Sequence, residues 1–244
     1  MHTRTLITGL VLWAALLFSA ASHAQVAYGG EPTSLQNDKV NWHIPVHSMP
    51  SFDLEAMLAE DEVSHEFKDA PFRFGKNFYL GYNLSNSGQW HTLPNGDRVW
   101  LLGIESYGAY SLNLTFDMFD IPEGGHMYVY KADGSEFIGK FDHRNNNADQ
   151  VFSTWPVPGE SLVIELYEPA EAIGQSLLQV ECVTHAYRDL DKVARDIGDS
   201  GSCNNNVVCA VGDPWQNEIN SVAMIVVGSN GICTGSLINN VASD

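Results

Sequence analysis

The sequence predicts an all-β protein whose central part, residues 71–188, is an antiparallel β-sandwich. Three observations carry that expectation. Ser111-Leu112-Asn113-Leu114-Thr115-Phe116-Asp117-Met118-Phe119 alternates apolar and polar residues, the period of a half-buried strand. Asp133-Gly134 sits between Met127-Tyr128-Val129-Tyr130 and Glu136-Phe137-Ile138-Gly139-Lys140-Phe141, a strong hairpin signal. Short apolar runs then recur at sandwich-like spacing, separated by turn residues. Roughly 120 residues suffice for an independent core.

Taken in order, residues 1–24 read as a secretory signal peptide. Arg4 supplies positive charge, Leu6 to Phe18 is a short apolar run, and Ser22-His23-Ala24 offers small residues for cleavage. That run is short of the roughly 20 residues a membrane span needs. The chain is therefore expected to be exported, extracellular or periplasmic, with no membrane association once the signal is removed. Residues 25–70 form a partly extended lead-in, with one short acidic helix expected over Leu54 to Glu62.

Within 71–188, Asn95-Gly96 marks a turn between Trp90-His91-Thr92-Leu93 and Arg98-Val99-Trp100-Leu101-Leu102-Gly103-Ile104. Further strands fit Val151 to Thr154, Ser161 to Tyr167 and Leu177 to His185, with Pro122-Glu123-Gly124-Gly125 and Pro156-Val157-Pro158-Gly159 as breaks. The alternation from Ser111 places Leu112, Leu114, Phe116 and Met118 in the core. Residues 189–197 are polar and, with Arg188, Lys192 and Arg195 leading to Gly198, read as an exposed processing linker.

The net charge of −18 argues against a nucleic-acid partner, because phosphate contacts need clustered Lys and Arg. Cys182, Cys203, Cys209 and Cys233 are the four cysteines. In an exported chain they read as half-cystines, their spacing not being that of a zinc site, and connectivity stays open. The histidines His43, His47, His65, His91, His126, His143 and His185 are scattered. Pro45 breaks the one helical spacing, so neither metal nor other cofactor is expected. His185 is expected to make a hydrogen bond at a strand end. No G-x-S-x-G elbow occurs, and Gly198-Asp199-Ser200-Gly201-Ser202 precedes the strands that follow it, so no catalytic residue is assigned in this chain. Trp90, Trp100, Tyr107, Tyr110, Tyr128, Tyr130 and Trp155 could line a carbohydrate-binding face or fill the core. Asp117, Asp120, Asp142 and Asp149 form no calcium motif, and Asn83-Leu84-Ser85 and Asn113-Leu114-Thr115 fit the glycosylation pattern.

Two C-terminal stretches carry more information. Gly201-Ser202-Cys203-Asn204-Asn205-Asn206-Val207-Val208-Cys209 resembles the mature N-terminus of the lysyl endopeptidase family, secreted bacterial serine proteases with a double β-barrel. Ala223-Met224-Ile225-Val226-Val227, a Gly228-Ser229-Asn230-Gly231 turn and Cys233-Thr234-Gly235-Ser236-Leu237 are similar to the strands just ahead of the catalytic histidine in trypsin-like proteases. Gly235 and Ser236 suit close strand approach. More loosely, Gly108 to Leu114 and Val157-Pro158-Gly159-Glu160 resemble the pro regions of such precursors, in which Cys182 is a departure.

The resemblance implies a precursor. Residues 71–188 would be its pro domain and 198–244 the start of an incomplete trypsin-like double β-barrel, with Asp244 reached before any catalytic histidine. It also implies that Cys203, Cys209 and Cys233 pair with cysteines further downstream. The implied partners are the chain's own downstream protease domain and, for the whole enzyme, polypeptide substrates cut after Lys or Arg. The alternative class is a secreted β-sandwich binding or adhesion module recognising glycan or protein.

Overall fold

Strand-forming runs dominate the computed structural model, which describes residues 27–37, 40–67, 70–190, 192 and 209–237. Among these residues the architecture is two face-to-face sheets forming a sandwich, a small third sheet, and no closed barrel. Residues 1–24, expected to be a signal peptide, and Cys203, Arg195, Gly198 and Ser200 lie outside the described residues.

The chain enters through a short helix α1 (Thr33–Gln36) and strand β1 (Val46–Ser48). Helix α2 (Leu54–Phe67) follows, starting where the Asp53 carboxylate accepts the Ala56 N–H at 3.0 Å. It runs further than the Leu54–Glu62 stretch expected. Strands β2 (Phe72–Arg73), β3 (Gly75–Asn83), β4 (Gln89–Thr92), β5 (Arg98–Glu105), β6 (Ser111–Asp120), β7 (His126–Lys131) and β8 (Phe137–Asp142) come next. After them come β9 (Phe152–Ser153), β10 (Val157–Pro158), β11 (Ser161–Glu168) and β12 (Leu177–Ala186). Helix α3 (Gln216–Ser221) leads into β13 (Val222–Val227) and β14 (Gly231–Ser236).

The first sheet runs β5–β11–β7–β8, with β1 and β4 sharing the outer edge of β5. The pairing of β1 with β5 is parallel and the others are antiparallel. The second sheet runs β10–β6–β12–β3, with β9 also on β6. Between the sheets lies one apolar core. Trp100, Leu102, Ile104, Val129 and Ile164 enter it from the first sheet, and Leu112, Leu114, Phe116, Phe119, Val180 and Val183 from the second.

The alternation expected along β6 holds for Leu112, Leu114 and Phe116, which are buried, and then changes phase. Gln179 pairs with Met118 and Val180 with Phe116, leaving Asp117 without a partner position. One extra residue in a strand turns the following side chains over. Phe119 therefore takes the core place expected for Met118, which is half-buried.

Both outer faces of the sandwich are covered, which explains why β5 is apolar without alternation. Val99 and Leu101 face outward from the first sheet with Tyr128, Tyr130 and Val163, and Leu35, Trp42 and Ile44 of the lead-in pack on them. The lead-in is fixed by a buried carboxylate. Glu165 accepts the Thr33 N–H at 2.5 Å, the Ser34 N–H at 3.1 Å and the Ser34 hydroxyl, and that hydroxyl also meets Tyr130 Oη at 2.7 Å. Burial holds the Glu165 pKa above the usual carboxylate range, and the donors from Ser34 and Thr33 only partly oppose it. On the second sheet the covering element is the β13–β14 hairpin, whose β14 also pairs with β2 to make the third sheet.

Candidate functional site

The junction between the sandwich and the C-terminal hairpin concentrates the sequence-singled residues. Its anchor is Asp61 on α2, buried and acidic. Its carboxylate accepts Arg73 Nε at 2.6 Å, Arg188 Nη2 at 2.9 Å and Tyr187 Oη at 2.8 Å, tying α2 to β2 and to the end of β12. Burial alone would raise its pKa. The bonds from Arg188, Tyr187 and Arg73 outweigh that and hold it below the ordinary value. The same burial and the Asp61 charge push Tyr187 up to about 12.

Arg188, a linker residue in the sequence reading, is held on both its side chain and its main chain. Its N–H donates to Phe74 O at 3.2 Å, beside the Tyr187 N–H on the same oxygen at 3.1 Å. Lys192 is exposed, and its N–H meets Asp189 Oδ1 at 3.1 Å.

The hairpin carries the cysteine motif. Ile225 pairs with Cys233 and Met224 with Thr234. Gly235 meets its close neighbour as the sequence suggests: a Cβ there would stand 2.2 Å from Ile225 Cδ1. Cys209 and Cys233 are exposed free thiols among the described residues. Cys182 is buried on β12, where burial raises its pKa. Val222, Met224, Ile225 and Val227 remain exposed, so β13 shows apolar side chains from both of its faces.

His185 makes the hydrogen bond expected at a strand end: its Nδ1 lies 2.7 Å from Ser106 Oγ. Both residues are buried, and Phe52 stands edge-on to the imidazole at 5.0 Å. Burial lowers the His185 pKa, and the charge of Glu160 only partly opposes it. A Ser–His pair closed to solvent offers no approach for a substrate carbonyl, so it is a structural contact. Among the described residues no three His, Cys, Asp or Glu side chains converge on a common point.

The aromatic residues divide. Trp100, Tyr128 and Tyr130 are buried, Trp90 is half-buried under the Arg98 guanidinium at 3.7 Å, and Tyr107, Tyr110 and Trp155 are exposed. Of the four aspartates, Asp142 pairs with Arg144 at 2.6 Å and Asp120 accepts from Asn146 at 2.6 Å. Asp117 accepts from Gln179 at 3.0 Å. Asn83 folds its side chain onto Ser85 and Asn86, and Asn113 is buried, which closes the second glycosylation triplet.

Residues 197–244 match the family model for the lysyl endopeptidase C-terminal domain. That stretch, with α3, β13, β14, Cys209 and Cys233, is lysyl endopeptidase-like. A solved carbohydrate-binding module of family 35, from an environmental isolate, is similar at 14% identity. It covers 48% of this chain and 87% of its own, at a TM-score of 0.20, which carries no argument about fold or ligand. Among the described residues no helix is long and apolar enough to cross a membrane.

Proposed function

We propose that this chain is the N-terminal part of a secreted serine endopeptidase precursor, catalytically incomplete as given. Residues 1–24 are its signal peptide, the sandwich its pro domain, and residues from about 198 the start of its protease domain. The observation that carries this reading is the coincidence of two boundaries. The family match opens at residue 197, and the C-terminal strands β13 and β14 join neither sheet of the sandwich, pairing instead with each other and with β2 in the separate third sheet. Export fits the lysyl endopeptidase-like stretch and the N-terminal charge pattern.

Activation would cut the linker. Arg188 is bound to Asp61 and Phe74 while Lys192 is exposed, so a processing protease meets Lys192 more readily than Arg188. Cys203, Cys209 and Cys233 would pair with cysteines of the downstream domain. Polypeptide cleavage after Lys or Arg would belong to that domain as well.

Reading the coding sequence beyond Asp244 tests the proposal. A T-A-A-H-C-like sequence within a few tens of codons is expected, and N-terminal sequencing of the secreted enzyme should begin after Arg188. A stop codon or a second sandwich in its place would favour the binding-module reading. The observation on that side is the exposure of Tyr107, Tyr110 and Trp155, with Trp155 and Phe137 in one groove bounded by Pro156 and Pro158.

A further inference from the structure

The outer face of the second sheet is polar where a covered face would ordinarily be apolar. Asn113 and Thr115 on β6 are 2% and 9% exposed, and Thr184 on β12 is fully buried. Register explains their grouping: Asn77, Thr184 and Asn113 lie side by side across β3, β12 and β6. Thr184 Oγ1 donates to Asn77 Oδ1 at 2.8 Å, which leaves the Asn77 amide nitrogen to donate elsewhere.

What covers this row is the turn between β13 and β14. Asn77 Nδ2 donates to Gly228 O at 2.9 Å, Asn113 Nδ2 to Ser229 O at 3.1 Å, and the Phe74 N–H to Asn230 O at 2.8 Å. Three successive turn carbonyls are thus each met by a donor from the sandwich side. Thr115 Oγ1 lies 2.7 Å from Ser229 Oγ, and Asn230 Nδ2 returns a bond to Gly75 O at 3.1 Å. Beside the turn, Gly231 pairs with Arg73 and Ile232 with Phe72. The approach is close enough that a Cβ on Gly231 would stand 2.9 Å from Pro71 Cβ. Gly228 and Ser229 hold the turn with φ of 58° and 67°, a left-handed pair that few sequences adopt.

We infer that Asn77, Asn113 and Thr115, with the Phe72–Gly75 main chain, form a recognition site for a β-hairpin bearing this Gly-Ser-Asn-Gly turn. The site keeps hold of the hairpin after the connecting linker is cut. The ligand class is a β-ribbon recognised by its turn carbonyls and by strand addition to one edge, and the natural occupant is residues 222–236 of this chain. The inference rests on the precursor reading for the event of cutting, and on geometry alone for the binding. The buried Asn113 amide and the half-buried Asn77 amide, both facing main-chain carbonyls, give register as well as affinity, because an amide left unpaired in a closed junction is costly. A cut chain would therefore remain a two-piece complex, with the downstream piece held against the sandwich.

The test uses the full chain, carrying an affinity tag ahead of the sandwich and a site for a sequence-specific protease inserted between Arg195 and Ser202. After complete cutting, the downstream piece should stay on the affinity resin and co-elute with the sandwich in size exclusion. Asn77→Ala with Asn113→Ala should raise the dissociation constant at least tenfold. Gly231→Val alters the hairpin and leaves every sandwich residue in place, and it should do the same. Release of the wild-type hairpin on cutting would overturn the inference, as would undiminished retention in both variants. If the cut pieces stay together while no catalytic sequence follows Asp244, the precursor reading fails and the binding site stands. Separation of the pieces ahead of a T-A-A-H-C-like sequence gives the reverse.

Discussion

His126 begins β7 with its ring stacked on Tyr167 at 4.6 Å and its Nδ1 buried without a hydrogen bond. Burial, helped by the charge of Lys140, pushes its pKa down to about 4, against opposing contributions from the Gly124 backbone and Asp142. An unfolded histidine titrates near ~6.5. Between those values the unfolded chain holds a proton that the folded chain does not, so stability rises with pH across that window. The difference in urea midpoint between wild type and His126→Gln should move against wild type as pH falls from about 6.5 to about 4. A difference that stays constant over that range would refute the assignment. Asp61 has the opposite chemistry and the same sign. Its depressed pKa contributes stability that is present above ~4 and lost as pH falls through the folded value. Asp61→Ala strips Arg73 and Arg188 of their shared partner. Their side chains are 29% and 26% exposed, so water compensates in part. The expected loss is about 2 kcal/mol, below the ~3–5 kcal/mol of a fully buried pair. Equilibrium denaturation measures it.

At the scale of elements, Glu165 and Leu114 make separable predictions. Glu165→Ala removes the acceptor of the Thr33 and Ser34 amides, and hydrogen exchange at α1 should speed at least tenfold while β6 and β12 stay protected. Leu114→Asp places a charge among Leu112, Phe116 and Val183 and should unfold the sandwich altogether. A cooperative thermal transition near the wild-type midpoint would contradict the core assignment. The strands on either side of Asn95-Gly96 and Asp133-Gly134 were legible in the sequence because turn residues there separate short runs rich in apolar and aromatic residues. Other elements were not, for identifiable reasons. β3 places Phe78, Leu80 and Tyr82 on one face, but Tyr79 on the other face blurs the alternation and Gly75 and Gly81 dilute its strand signal. β1 has three residues and owes its existence to the free edge of β5. The bulge at Asp117 depends on pairing with β12, which no local pattern in β6 encodes. At the junction, the cysteines and basic residues could be picked out from their spacing. The Asn77–Thr184–Asn113 row could not, since it joins three strands far apart in sequence and lacks any motif.

The described residues stack in layers: lead-in, first sheet, second sheet, hairpin. The hairpin layer carries a cluster of exposed apolar residues. Val222, Met224, Ile225 and Val227 on a lysyl endopeptidase-like ribbon form a surface that soluble proteins ordinarily cover. Among the described thiols, Cys209 and Cys233 on the C-terminal stretch are exposed and Cys182 is buried within the second sheet. Reactivity follows thiolate fraction and access, and burial lowers both for Cys182. Brief labelling of the folded chain with iodoacetamide should therefore modify Cys209 and Cys233 and spare Cys182, which should react only after denaturation. In the precursor reading, extending the chain through its downstream domain should protect Cys209 and Cys233 as disulfides. Peptide mapping by mass spectrometry distinguishes the cases. A disulfide already joining two of the four cysteines in this chain would mean that the C-terminal layer is self-sufficient, and the downstream pairing would be wrong. Equal labelling of Cys182 in the native state would show instead that the second sheet opens on the timescale of the reaction, against the packing of β12 between β6 and β3.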